Sequence, residues 1–140
     1  MTAFLHQATC LAIKGRAVLI EGPPGSGKSA LALALLDRGA MLIGDDGVSM
    51  ELRGAHLFAS PPPNTAGLLE VRNVGLLRFP TANAVRVALV IVLDPSAPRF
   101  TEAAEPAERA TVPLPLIRLW PSENPPARKV ELALERYGLV

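Results

Sequence analysis

Apolar positions in this chain fall into short runs punctuated by Gly, Pro and Asp, with two stretches at helical spacing. Ala17-Val18-Leu19-Ile20 is a short apolar run bounded by glycine, as expected of a buried parallel strand. Ser29–Arg38 holds good helix formers throughout and is stopped by Gly39, which predicts a helix. Met41–Ile43 follows after one Gly-Ala step, so the order predicts a short βαβ unit with a parallel second strand. Val48–Leu52 and His56–Ala59 flank Arg53-Gly54-Ala55, a hairpin signal.

Further along, Ser60-Pro61-Pro62-Pro63-Asn64 can only be a loop. Leu68–Gly75 embeds Glu70 and Arg72 among apolar neighbours. Val85–Asp94 is the strongest strand signal and is too apolar for a sheet edge. Pro95–Pro113, rich in Pro, Ala and Glu, predicts an exposed, mobile segment whose Glu102, Glu105 and Glu108 face solvent. Leu116–Trp120 predicts one more strand, and Ala127–Tyr137 a terminal helix docked by Val130, Leu132 and Leu134. There are no internal repeats. The fold class expected is α/β: a mixed β-sheet flanked by helices in a single compact domain spanning 1–140.

Length and composition narrow the function more than the fold. At 140 residues there is room for one core. Hydrophobic residues make up 49% and charged residues 19%, which excludes wholesale disorder. A net charge of +1 gives no electrostatic footprint for nucleic acid or an anionic membrane. The longest apolar run, Val87–Leu93, is far short of a membrane span, and Met1–Ile13 lacks the basic start and apolar region of a signal peptide. The lone Cys10 reads as a buried structural thiol, so the expected location is a reducing cytoplasm.

The chemistry begins at Gly22-Pro23-Pro24-Gly25-Ser26-Gly27-Lys28-Ser29, a complete G-x-x-x-x-G-K-S loop between a strand and a helix. That order aims backbone N–H groups and the positive end of a helix dipole at phosphate. Lys28 would reach the β- and γ-phosphates of ATP, and the Ser29 hydroxyl would coordinate Mg²⁺. A triphosphate site also needs an acid at a neighbouring strand end. Asp94, closing Val87–Leu93, and the pair Asp45-Asp46, closing Met41–Ile43, both qualify. Adjacent carboxylates allow one to hold metal or water while the other accepts a proton, although Asp45-Asp46-Gly47 also suits a plain turn.

His6, the Gly22–Ser29 loop, Ala40–Asp46 and the run Leu68-Leu69-Glu70-Val71-Arg72-Asn73-Val74-Gly75 together resemble the HPr kinase/phosphorylase family, in a short form comprising only the C-terminal catalytic domain. Members are bacterial P-loop enzymes that phosphorylate a serine of the phosphocarrier HPr of the phosphotransferase system. The resemblance implies that Gly22–Ser29 binds ATP and that Asp46 takes the proton from the target serine, with Asp45 supporting it or the metal. It implies that Glu70 joins Ser29 on Mg²⁺, that His6 lies beside the phosphate loop, and that Arg99 is the arginine following the strong strand. Taken alone, His6 would read as an ordinary hydrogen-bonded histidine. Under the resemblance Asp94 becomes a supporting residue, and Arg72, within the signature, would position phosphate or structure the loop.

The Gly- and Arg-rich segment that the family ties to phosphorolysis has no counterpart in Val112–Ile117, which leaves the reverse reaction open. A homo-oligomer also stays open, because the C-terminal helices that mediate family contacts are abbreviated to Ala127–Val140. Two other readings of the same residues are a small-molecule P-loop kinase and a non-catalytic nucleotide-binding switch. The first needs lid arginines, for which Pro95–Pro113 offers only Arg99 and Arg109; the second needs no catalytic base.

Overall fold

A computed structural model describes residues 3–140. Its centre is β9 (Val85–Leu93), which is buried on both faces, as its near-unbroken apolar sequence demands. One edge of β9 pairs in parallel with β3 (Arg16–Glu21). The other edge is shared between two strands. Val85 and Arg86 pair antiparallel with β6 (His56–Ser60), and Val90–Leu93 pair parallel with β11 (Val112–Leu119). β6 continues outward to β5 (Val48–Arg53) and then to β1 (Phe4–His6). β3 continues to β2 (Thr9–Ile13) and then to β4 (Met41–Gly44). The mixed α/β domain therefore has one curled sheet at its heart, as expected.

The helices lie on one face. In α1 (Lys28–Leu36) the buried residues are Leu31, Ala32 and Leu35; in α2 (Ala127–Tyr137) they are Ala127, Val130, Ala133 and Leu134, whereas Leu132, expected to dock the helix, lies on its exposed side. These meet Leu11, Val18, Ile20, Leu89 and Ile91 from the sheet. The opposite face closes on itself, with Cys10, Leu19, Ile43, Met50, Leu57, Val90 and Leu114 in a second core. A β-bulge decides which residues go where. Ala17 pairs with Val87 but Val18 pairs with Leu89, so Ala88 is extra and both Ala88 and Leu89 turn to the helical core. The Ala88 carbonyl accepts a hydrogen bond from the Leu139 N–H at 2.9 Å, so the chain end covers the bulge.

Two expectations need correction. The βαβ unit is not two adjacent parallel strands: β2 lies between β3 and β4, antiparallel to both. The hairpin β2–β3 turns at Lys14 and Gly15, both at positive φ, a two-residue turn that matches strand twist. The second correction concerns Pro95–Pro113, which is not simply an exposed, mobile segment. It contains β10 (Glu105–Arg109), paired antiparallel with β11. The partners are Pro106 with Pro115 and Glu108 with Pro113. Proline has no N–H, so Pro106 and Pro115 must form a non-hydrogen-bonded pair, and Pro113, two residues away, falls in the same class. The ladder survives because the prolines share one parity. Its turn is Ala110-Thr111, at φ 51° and 68°.

Leu68–Gly75 forms most of a separate two-stranded hairpin, β7 (Leu68–Val71) with β8 (Gly75–Arg78). Leu69 anchors it in the helical core, where α1 packs. No helix among the described residues is long and apolar enough to cross a membrane.

Candidate active site

β3 delivers the chain to the phosphate loop at Glu21, and α1 begins at Lys28 on the far side. At Gly22 a Cβ would stand 2.7 Å from Ser26 Oγ and 3.2 Å from the Leu93 carbonyl oxygen, so the loop closes tightly against the end of β9. Gly27, the residue before the helix, has φ 99° and offers no side-chain cap. No acidic residue occupies the first turn of α1, so its free N–H groups face an anion without competition. Lys28 Nζ donates to the carbonyls of Gly22 at 2.8 Å and Pro23 at 3.2 Å, which holds the ammonium over the loop. Ser26 Oγ is buried without a hydrogen-bond partner. An orphaned hydroxyl inside the Gly22–Ser29 loop fits a phosphate oxygen as its missing partner.

Ser29 sits in the first turn of α1 and donates from Oγ to both carboxylate oxygens of Asp45, at 2.8 and 3.1 Å. The fully buried Thr9 donates to Asp45 Oδ1 at 3.1 Å. Asp45 therefore bridges β4, β2 and the phosphate-loop helix. Its neighbour Asp46 is exposed and has φ 61°, in the left-handed region. That conformation separates two adjacent carboxylates, turning Asp45 inward to Ser29 and leaving Asp46 open to solvent. The turn is tight: a Cβ at Gly44 would collide with the Gly47 carbonyl oxygen. A hydroxyl and one carboxylate, completed by phosphate oxygens and water, form the donor set that Mg²⁺ takes beside a nucleotide. The residues present fit the ion.

His6 is also placed at this end of the sheet, but it is not free. Its Nε2 lies 2.9 Å from Glu21 Oε2. Arg109, from the end of β10, clamps the same carboxylate with Nε at 2.9 Å and Nη2 at 2.6 Å. Burial favours the neutral acid at Glu21, yet hydrogen bonds and charge from His6 and Arg109 outweigh it and hold its pKa at about 2, against an ordinary 4.5. Neither Glu21 nor Arg109 figures among the site residues expected from sequence. A charged residue ending an apolar run directly before the phosphate loop is a signal for Glu21; nothing local marks Arg109.

The other expected residues separate from this cluster. Glu70 is exposed on β7 opposite Leu76, and no hydrogen bond joins it to Ser29 or Asp45. Arg72 is exposed in the β7–β8 turn. Arg99 lines a different cleft, formed with Arg118, Trp120 and α2. Asp94 has a supporting role at the end of β9, accepting from the Ser96 N–H at 2.8 Å and pairing with Arg118 at 3.2 Å. Cys10 is fully buried, and burial pushes its thiol well above the usual range, as a structural cysteine requires.

Residues 2–91 match the family model of the HPr Serine kinase C-terminal domain. The chain belongs to that family. Among curated relatives named HPr kinase/phosphorylase, the protein from Clostridium tetani is 41% identical over 69 residues, covering 49% of this chain and 23% of the relative. That from Brevibacillus brevis is 44% identical over 90 residues, covering 59% of this chain and 29% of the relative. The chain thus spans about a quarter of the length of these relatives. Among solved structures, the HPr(Ser) kinase/phosphatase from Coxiella burnetii superposes with a TM-score of 0.80 at 27% identity, covering 94% of this chain and 99% of that one. The family match takes in the phosphate loop, the Asp45-Asp46 turn, His6 and Glu70.

Proposed function

We propose that this chain is an ATP- and Mg²⁺-dependent protein-serine kinase that phosphorylates an HPr-type phosphocarrier. The observation that carries the reading is the split of the aspartate pair: Asp45 locked to Ser29 and Thr9, Asp46 exposed one residue on. A site built only to hold nucleotide needs the first carboxylate and has no use for the second. Names borne by the relatives support the acceptor class.

In this mechanism the backbone of Gly22–Ser29 and the N-terminus of α1 bind the phosphates and fix the γ-phosphoryl group in line with the acceptor. Lys28 exchanges its two loop carbonyls for phosphate oxygens and neutralises charge as the bond to the leaving diphosphate breaks. Ser29 and Asp45 would hold Mg²⁺, and the ion would supply charge neutralisation at the phosphates; Glu70, which stands outside that cluster on β7, would have to move in to join them. Asp46 accepts the proton of the serine hydroxyl as its oxygen attacks phosphorus. His6 stands beside the loop, oriented by Glu21. Arg109 is committed to that same carboxylate, which removes one of the two arginines a small-molecule kinase lid would have used.

The test is transfer of label from γ-labelled ATP to a purified HPr-type phosphocarrier in the presence of Mg²⁺. Transfer that is lost in Asp46→Asn, with ATP binding retained, supports the reading. Nucleotide binding without transfer to any such carrier moves the assignment to a regulatory switch. Adding inorganic phosphate to the phosphorylated carrier then decides whether phosphorolysis occurs as well.

A further inference from the structure

The segment beyond residue 91 lies outside the family match and builds a second cleft of about 290 Å³. Ile117, Leu119 and Trp120 line it from β11 and its end; Leu132, Ala133 and Tyr137 line it from α2. We propose that this cleft binds a small organic anion, a phosphate or carboxylate carried on an apolar ring. The inference does not depend on the kinase reading.

Charge is the first argument. Lys129, Leu132, Ala133 and Arg136 recur at helical spacing, so α2 turns one stripe toward the cleft while Val130 and Leu134 enter the core. Arg99 and Arg118 face them from the opposite side. Arg118 is neutralised by Glu105 at 2.8 Å and Asp94 at 3.2 Å. Arg99, Lys129 and Arg136 have no carboxylate or hydrogen-bond partner among the described residues, and no acidic side chain lines the cleft. A chain of net charge +1 thus gathers three uncompensated cations around one depression.

The apolar half is preformed. Trp120 is 49% exposed and Leu132 46%, both large side chains left without protein cover. Their neighbours are nevertheless fixed in place. Trp120 Nε1 donates to the Ala97 carbonyl at 2.6 Å, and the Tyr137 hydroxyl donates to the Thr101 carbonyl at 3.1 Å. With their polar ends pinned, the two rings offer rigid walls at little ordering cost. A concave, largely apolar cleft of this volume suits a compact molecule rather than a polymer. The cations specify its charge.

Trp120 is the only tryptophan in the chain and reports on the site directly. The experiment titrates the full chain with phenyl phosphate and follows tryptophan emission, in the wild type and in Lys28→Ala so that the phosphate loop cannot carry the signal. Expected is a saturable change in both proteins. Arg136→Glu and Lys129→Glu should each weaken it about tenfold or more, and Leu132→Gln should weaken it without altering the charge. Lys129 and Arg136 make no hydrogen bond or ion pair among the described residues, and Arg136 touches only the Tyr137 ring face at 5.6 Å, so circular dichroism and thermal melts should show these variants folded. The proposal fails if no saturable change occurs, or if the change survives both charge reversals. It fails equally if inorganic phosphate binds as well as phenyl phosphate, which would mean an adventitious ion only, or if phenol does, which would remove the anion requirement.

Discussion

Arg109 grips Glu21 through two hydrogen bonds, joining the end of β10 to the residue immediately before the phosphate loop. The pair lies 88 positions apart in sequence, and His6 shares the same carboxylate. Folding therefore depresses the Glu21 pKa to about 2 from 4.5. A carboxylate with a lowered folded pKa contributes stability above its unfolded value, and that contribution is lost as pH falls through the folded one. Glu21→Gln should cost about 1–3 kcal/mol at neutral pH. The difference between wild type and Glu21→Gln should shrink as pH drops from 4.5 toward about 2. Urea denaturation at neutral pH and at intermediate acid pH reads this; a difference that stays constant across that window rules out the ion pair as its source.

Glycine substitutions should separate nucleotide binding from folding. At Gly22 the intruding Cβ meets Ser26 Oγ, which can rotate, and the Leu93 backbone carbonyl at 3.2 Å, and φ 158° adds strain for any side chain. At Gly44 it collides with the Gly47 carbonyl oxygen, in backbone that cannot move without opening the Asp45-Asp46 turn. Gly44→Ala is expected to destabilise by about 2–4 kcal/mol. Gly22→Ala should cost less stability but weaken ATP binding about tenfold or more, because the rotated Ser26 side chain displaces the loop that receives phosphate. Thermal melts and nucleotide titration on both variants check the order.

What the sequence made legible were features encoded within a few residues. Val85–Leu93, the hairpin around Gly54, the helix Ala127–Tyr137 and the phosphate loop all announce themselves through local spacing and composition. Hidden features depend on pairing. The prolines of β10 and β11 read as loop until the register shows that they share the non-hydrogen-bonded positions. Ala110-Thr111 closes a hairpin in the left-handed region without any glycine to signal it. At the site, the Asp45-Asp46 pair was visible, whereas Thr9 joins Asp45 across 36 positions and carries no motif. Arg109 is recognisable only once the β10–β11 hairpin folds back to the phosphate loop, where it finds Glu21.

Thr9 is buried; its hydroxyl supports Asp45 from β2 and accepts from the Asp46 N–H at 3.5 Å. Thr9→Val keeps the shape and removes the donor, leaving one carboxylate oxygen with fewer partners in a partly buried setting. A loss of about 1–2 kcal/mol is expected. The functional consequence should be larger than the structural one: Asp45, no longer fixed against Ser29 from both sides, should require several-fold more Mg²⁺ for half-maximal nucleotide binding. Measuring ATP affinity across a Mg²⁺ titration tests this, and an unchanged Mg²⁺ dependence would show that Ser29 alone sets the position of Asp45.

The two aspartates should fail in different ways when each loses its charge. Asp45→Asn retains a hydrogen bond to Ser29 but removes the anion facing the cation, so the loss should fall on Mg²⁺-dependent ATP binding. Asp46→Asn alters a side chain that faces solvent beside the loop, so nucleotide affinity should hold within about twofold while the rate of phosphoryl transfer falls about 10²–10⁴-fold. The left-handed backbone at Asp46 is a residue-specific hazard, but Asn tolerates that region as well as Asp, which makes this substitution a test of chemistry rather than of folding. Binding and single-turnover transfer measured on the same two preparations distinguish the roles. If both variants lost nucleotide affinity alike, the pair would be one metal site, and the proton acceptor would have to be sought elsewhere, with His6, held beside the loop by Glu21, the first to test.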